Sequence, residues 1–342
     1  LEELLMNHPV KVLISGGAGY IGSTVASRLR DEGFEVVVLD NLITGRREFV
    51  EGLTFYEGDI ADRALLDRIY EEHPDIAVVL HFAALIVVPD SVADPLGYYE
   101  ANISKSLAFV RGLIANGCSQ LVFSSSASIY AVSEDFSVDE SSELAPTSPY
   151  ARSKAMFEVM LEDIAAASDL NVLSLRYFNP IGSDPKFRTG LQIASPSHAL
   201  GKLIEAYRGD TEFQITGTDY PTRDGSGIRD YVNVWDLAEA HVAAVRECAK
   251  IAANSAYQVI NLGTGEGTTV RELVAAFESV VGRSVRAVEA PRRPGDSAGA
   301  FTRSRKAAEL LNWTASTSLE DGIASTLEWF ERRKLILPDL AD

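Results

Sequence analysis

One stretch, VKVLISGGAGYIG at residues 10–22, constrains the fold of this 342-residue chain more than any other. An apolar, β-branched run stops on glycines at 16, 19 and 22, and an amphipathic pattern follows over 21–32. Such a strand–turn–helix brings backbone close to a pyrophosphate at a helix start, where unpaired N–H groups and the helix dipole stabilise negative charge. Gly16, Gly19 and Gly22 are therefore read as the phosphate turn of a dinucleotide site. Asp40 closes the next apolar run, EVVVLD. A carboxylate at that place accepts hydrogen bonds from ribose hydroxyls and repels a 2′-phosphate, which predicts NAD as the cofactor. Arg46 and Arg47 carry the competing NADP reading. Asp59 and Ile60, after the third run, are candidates for the adenine edge.

Further apolar runs at 53–58, 75–83, 120–126 and 170–178 alternate with helical patterns at 63–72, 102–116 and 150–168. Unbroken apolar strands between amphipathic helices predict an α/β chain with a Rossmann-type parallel sheet covered on both faces. Beyond residue 180 the pattern weakens. Helices are expected at 199–208, 235–249 and 270–281, strands at 257–263 and 285–288, and loop over 217–231. At about 150 residues per domain the length suits two. Residues 1–178 are expected to form the cofactor domain, with 233–264 returning to it. Residues 179–232 and 265–342 then form a smaller mixed α/β substrate domain.

Composition removes other function classes. Lys and Arg number 31 against 49 Asp and Glu, a net charge of −18. Nucleic acid and anionic membrane are poor partners for such a surface, because their binding needs clustered cations. No apolar run reaches the roughly 18 residues of a membrane span, and no basic-then-apolar leader is legible, so a cytoplasmic address is expected. Cys118 and Cys248 lack CxxC spacing and read as reduced, buried thiols. His8, His73, His81, His198 and His241 show no metal-ligand spacing, and the GxSxG elbow of hydrolases is absent.

The reacting end is read from two segments. Ser124, Ser125 and Ser126 follow the apolar LVF, at the carboxyl end of an expected parallel strand, where open α/β sheets place ligands. SPYARSK follows at 148–154: Ser148 caps a helix, Pro149 suits its first turn, and Tyr150 and Lys154 share one face. An ammonium beside a phenol of ordinary pKa about 10 favours tyrosinate. That base removes a proton from a sugar hydroxyl while hydride leaves the same carbon. Asn179 in YFNP and Phe178 beside it suit a substrate phosphate and a sugar face. Arg229 in IRDY and Arg293 in PRRPGD offer bidentate donors to a diphosphate, and Asp296 an acceptor for ribose hydroxyls.

Taken in order, SGGAGYIG, VVLDNL, GDI, HFAA, FSSSASIY, SPYARSK, LRYFNPIG, GIRDYVNVWDLAEAH, NLGTGEGTTV and PRRPGD make the chain resemble the UDP-glucose 4-epimerase family of the extended short-chain dehydrogenases. The resemblance implies NAD contacts at Gly16, Gly19, Gly22, Asp40, Asp59, Ile60 and Asn102. Tyr20, Ile21, Asn41, Phe82, Ala83 and Ala84 are implied with them, as are Ser124 and Tyr177. It gives Ser126 to the sugar 4-hydroxyl, makes Tyr150 the base, and sets Lys154 on the nicotinamide ribose. Asn179, Arg229, Arg293 and Asp296 match nucleotide-sugar positions. The implied reaction is reversible inversion at C4 of a UDP-hexose through a 4-keto sugar with retained NAD, in a homodimer built on helices around 93–117 and 150–168. Three departures stand out. Ile86 occupies the place of a lysine that contacts cofactor. Ser197-His198-Ala199 replaces Asn-Asn-Leu at the base site, leaving His198 to contact the base with a different reach. Ala300 replaces a tyrosine that closes the sugar pocket in some members, which predicts room for a 2-acetamido group. Two alternatives stand beside this: another NAD-dependent nucleotide-sugar dehydratase or decarboxylase, although Ala127 and Ser128 replace the Asp-Glu of dehydratases, or a non-catalytic NAD or nucleotide sensor.

Overall fold

A computed structural model describes residues 10–292 and 297–340. Its central sheet has seven parallel strands: β1 (Lys11–Ser15), β2 (Glu35–Asp40), β3 (Thr54–Glu57), β4 (Ile76–His81), β5 (Gln120–Ser126), β6 (Asn171–Tyr177) and β7 (Tyr257–Leu262). Their spatial order is β7–β6–β5–β4–β1–β2–β3. The chain builds outward from β1 in one direction, then crosses over to β4 and builds in the other. The reversal between β1 and β4 opens a crevice at the carboxyl ends of the strands, the place where this architecture holds ligands.

Strand alternation sends side chains to two separate cores. Val12 and Ile14 of β1 face α1 (Tyr20–Asp31) and the long helix Val234–Ala252, with Val25, Leu29, Leu237 and Val245 packed among them. Leu13 faces the other way. There Leu66 and Ile69 of α2 (Arg63–Glu72), Phe109 and Leu113 of α3 (Lys105–Ala115), and Phe157 and Leu161 of α4 (Pro149–Ala167) cover the sheet. Both faces are therefore apolar, which is why these strands read as unbroken hydrophobic runs.

A third core lies apart from the sheet. Leu200 and Leu203 of α5 (Ala199–Gly209) pack with Val234–Ala252's successor α7 (Val270–Val281), through Leu273 and Phe277, and with Trp329 and Phe330 of α8 (Leu319–Ile336), α6 being Val234–Ala252. Two-stranded pairs stitch this region together: Asn179–Ile181 beside Tyr231–Asn233, Phe213–Thr216 beside Ala287–Ala290, and Ile228–Arg229 against Thr268–Thr269. The loop expected over 217–231 thus contains short strands, and the strand expected at 285–288 lies at Ala287–Ala290. Pieces of two or three residues are too short to show a period. Asp230, fully buried between two of them, accepts from Thr264 N (2.8 Å), Gly265 N (3.1 Å) and Thr302 N (3.2 Å) and ties the 264–265 turn and the strand Phe301–Thr302 to its own segment.

Candidate active site

The glycine turn is shaped by space on one side and by its absence on the other. Gly16 has φ +74°, and a Cβ there would lie 2.5 Å from Ala83 N. At Gly22 a Cβ would sit 2.3 Å from Gly16 O. At Gly19 a Cβ would meet only Gly16 O, at 3.4 Å, so this glycine faces open room. It is also the N-cap of α1, with no side chain on the free N–H groups and no acidic residue in the first turn. An open cradle of unpaired donors fits a pyrophosphate. Tyr20 and Ile21 begin the helix, and the Tyr20 hydroxyl donates to Gly182 O (2.7 Å), tying the turn to the C-terminal region.

Asp40 lies buried at the end of β2. Burial pushes its carboxyl above the usual range, and the N–H groups of Leu42 (2.8 Å) and Ala18 (2.9 Å) pull it back. It therefore braces the glycine turn while each oxygen keeps a lone pair. Asn41 beside it is exposed, and its Oδ1 accepts from Ile43 N. Burial raises Asp59, but the Lys105 ammonium (2.5 Å) and Ala61 N–H outweigh it, so its carboxyl stays below its ordinary value. Ile60 is buried next to it. Arg46 pairs with Asp339 (2.8 Å) and Arg47 with Glu57.

After β4 the N–H groups of Phe82 and Ala83 return to Ser15 O (2.9 and 3.1 Å), which sets Ala83 and Ala84 beside the glycine turn. Buried Asn102, in a wide helical turn at Glu100–Ser104, accepts from Leu85 N (2.8 Å) and donates to Leu85 O (2.9 Å). Its amide thus shapes this segment, with a further bond to Ser153 Oγ (3.0 Å). Ile86, one residue on, is 55% exposed. His81 is held between Ser15 Oγ (2.6 Å) and Ser106 Oγ (3.0 Å), and burial brings its pKa down to about 3, a neutral core histidine.

The reacting groups meet at the end of β5. Ser126 pairs in register with Tyr177, and the Tyr177 hydroxyl donates to Ser124 Oγ. Lys154, only 3% exposed, donates to Ser124 O (2.8 Å) and lies 4.9 Å from the Phe123 ring centre. Burial brings its pKa down to about 7, against the opposing charge of Glu158. Ser148 caps α4 through Ala151 N, with Pro149 in the first turn, so Tyr150 and Lys154 both face the sheet edge. Burial holds the Tyr150 phenol above its usual value, and a hydrogen bond with Ser126 opposes that rise. The structure therefore brings Ser126, Tyr150, Lys154 and Ser124 to one point beside the glycine turn's strand order reversal.

On the sugar side the predicted residues are more dispersed in role. Phe178 and Ala300 share a small apolar cluster with Tyr130 and Val138. Asn179 begins a short strand, its N–H donating to Asp230 O (2.9 Å). Arg229 Nη1 donates to Ile228 O (2.7 Å) and Ala298 O (2.8 Å), bracing the loop that leads to Ala300. His198 caps α5, its Nδ1 accepting from Gly201 N (3.1 Å), and burial brings its pKa down to about 4. Arg293 and Asp296 lie outside the described residues. Among the described residues no cluster of His, Cys, Asp or Glu is arranged to hold a metal ion, and no helix is long and apolar enough to cross a membrane.

Sequence reading missed Asp230, which looked like an ordinary loop carboxylate, and Glu158. The latter had a signal: Tyr150, Lys154 and Glu158 are spaced i, i+4, i+8 and share one helix face.

Comparison with known proteins identifies the family and the fold. A UDP-glucose 4-epimerase of Bacillus subtilis is 40% identical over 329 residues, covering 93% of this chain and 96% of that protein. The crystal structure of the UDP-glucose 4-epimerase of Stenotrophomonas maltophila, with bound NAD and formylated UDP-arabinopyranose, superposes with a TM-score of 0.89 at 38% identity, over 95% of this chain and 98% of the other. The UDP-Glc/GlcNAc 4-epimerase of Campylobacter jejuni gives 0.79 at 33%, over 94% and 98%. The family model for NAD dependent epimerases and dehydratases matches residues 12–263, and the chain belongs to that family.

Proposed function

We propose that this chain is an NAD-dependent epimerase that inverts C4 of a UDP-hexose reversibly through a 4-keto sugar. The observation that carries the reading is the convergence of Tyr150, Ser126 and Lys154 at the end of β5, beside a glycine turn open at Gly19. NAD, when bound, supplies a hydride acceptor and donor for C4. Gly16, Gly19, Gly22, Asp40 and Lys154 are the residues that would hold it.

Tyr150 takes the proton of the 4-hydroxyl and Ser126 hydrogen-bonds the same oxygen, which fixes the direction of proton transfer. Because burial alone raises the phenol, ionisation depends on positive charge nearby, and the Lys154 ammonium is the chain's own contribution. Asn179, Arg229 and Arg293 anchor the diphosphate. A firm anchor with a loosely held sugar keeps the ring close while leaving it free to turn.

The substrate range extends to N-acetylhexosamines. Ala300, packed beside Phe178, is smaller than the tyrosine that some family members carry at this place, which favours room for a 2-acetamido group. The working unit is a homodimer. Exposed Val92, Leu96, Leu107, Met156 and Val159 lie on neighbouring helices and form an apolar face that a second copy would cover. Free, buried Cys118 and Cys248 suit a reducing cytoplasm.

Incubating the purified protein with UDP-galactose should yield UDP-glucose, and with UDP-N-acetylglucosamine the corresponding 4-epimer. Absence of UDP-glucose formation would overturn the epimerase reading. Brisk conversion of UDP-glucose without any of the acetamido sugar would remove the wider substrate range.

A further inference from the structure

Three neighbouring strands carry a polar rung directly beneath the reacting groups. Ser125 of β5 pairs in register with Arg176 of β6, and Arg176 with Asn261 of β7. All three are buried. The Arg176 guanidinium donates to the Glu158 carboxylate of α4 through Nη2 (2.5 Å) and Nε (3.0 and 3.2 Å). Ser125 Oγ donates to the same carboxylate. Arg176 Nη1 donates to the Tyr130 hydroxyl (2.8 Å), which donates to Asn261 Oδ1 (2.6 Å). Apolar side chains of similar volume would hold a sheet to a helix without the desolvation of two charges, so a buried ion pair kept here calls for another reason.

Position supplies one. Glu158 lies one helical turn beyond Lys154, whose Nζ is itself buried against Ser124 O. We propose that Glu158, locked by Arg176, is a positioning residue for the reaction: its carboxylate keeps the buried Lys154 ammonium charged and presses the Tyr150–Lys154 face of α4 onto the end of β5. The proposal rests on the epimerase reading for its consequence in turnover, but not for its effect on Lys154.

The other groups facing Lys154 do not substitute for that charge. His81 from β4 is neutral, its pKa brought down to about 3 by burial. Tyr177 from β6 is pushed far up by burial and is also neutral. Tyr150 on the same helix is raised, and Arg176, paired with Glu158, is itself a cation and supplies no negative charge to Lys154. With Glu158 made neutral, Lys154 therefore loses its opposing charge and also faces an unpaired Arg176. Both changes favour the uncharged amine.

The test compares wild type, Glu158→Gln, Glu158→Asp and the double variant Glu158→Gln/Arg176→Met, each purified with NAD. The Cε resonance of Lys154 is followed by NMR in protein labelled with 13C-lysine, assigned by its loss in Lys154→Arg. Glu158→Gln should unfold more readily, and the double variant should regain most of that loss because no unpaired charge remains. The Lys154 midpoint should nevertheless stay about one pH unit below wild type in the double variant. The alkaline limb of turnover should move with it, because the amine loses its proton earlier. Glu158→Asp keeps the charge and should keep the midpoint near wild type while lowering kcat. A double variant with wild-type Lys154 titration would overturn the proposal and leave the pair a structural tie. A Glu158→Asp midpoint as low as that of Glu158→Gln would overturn it too. Wild-type protein that titrates as expected yet converts no UDP-galactose would instead count against the epimerase reading alone.

Discussion

The cofactor end and the sugar end of the cleft are built from different kinds of backbone. At the cofactor end, Ser124, Ser126, Tyr177 and Asp40 sit at strand ends whose register is fixed by the seven-stranded sheet. At the sugar end, Asn179 and Arg229 lie on strands of two or three residues, and Ala300 precedes another such strand. There the side chains hold the backbone, as Arg229 and Asp230 do, instead of being held by it. A chemical step that needs a proton-transfer group placed to within a fraction of an ångström belongs on the sheet and on the helix packed against its carboxyl end. A pocket that must admit one sugar or another is better built on loops, where a change such as that at residue 300 disturbs little else.

The sharpest way to break this contrast is Tyr150→Phe. If chemistry resides wholly on the rigid side, the variant should fold, retain NAD and lose about 10²- to 10⁴-fold in kcat, the usual reach of a general base. Turnover of UDP-galactose and a melting curve measure both halves. Activity within tenfold of wild type would mean that some loop group takes the proton.

Two glycine substitutions separate the backbone that makes the turn from the backbone that receives the ligand. Gly16→Ala forces a side chain into the left-handed region and onto Ala83 N at 2.5 Å, and should cost about 1–3 kcal/mol in urea unfolding. Gly19→Ala has φ −81° and only a 3.4 Å neighbour, so stability should stay within about 0.5 kcal/mol while NAD affinity falls. Equal effects of the two on stability would show that Gly19 is part of the turn's structure and not of its binding face.

The same contrast explains what could be read without coordinates. Most of the sheet strands were legible because they are buried on both faces and read as apolar runs, whereas the edge strand Thr54–Glu57 leaves Thr54 and Glu57 exposed. The cofactor end was legible because Gly16, Gly19 and Gly22 follow a strand directly, and Tyr150 and Lys154 share a helix face just after a capping serine and a proline. The third core was only partly legible: α5 and α7 show a helical period, but Ile228–Arg229 and Tyr231–Asn233 are too short to show any. Arg229 could be chosen as a cation from sequence, whereas its bonds to Ile228 O and Ala298 O depend on a loop fold that no local pattern records. The short helix Val88–Ala93 was not expected, and Pro95–Tyr99 falls within the helices around 93–117 that only the family resemblance implied, since each spans too few turns for its apolar side to repeat.

The smallest expected effect concerns the seam between the two regions. Asp31, at the end of α1, accepts from Arg188 Nη1 and Nη2 (2.9 Å each) and from Lys186 Nζ (3.0 Å), cations carried on the loop after the Asn179–Ile181 strand. Arg188 chiefly, with Lys186, outweighs partial burial and brings the Asp31 pKa down to about 2 from an ordinary 3.8. A carboxyl whose pKa is lower folded than unfolded stabilises the fold above its unfolded value, and that contribution disappears as pH falls through the folded one. The seam should therefore weaken between about pH 4 and pH 2, and Asp31→Asn should flatten the melting temperature across that window. Because Lys186 is open to solvent and Arg188 and Asp31 stay partly so, the difference at neutral pH should be only about 1–2 °C and should shrink in high salt. A pH dependence in Asp31→Asn identical to wild type would mean that Tyr20, reaching Gly182 O from the glycine turn, joins the rigid and the adaptable halves without help from charge.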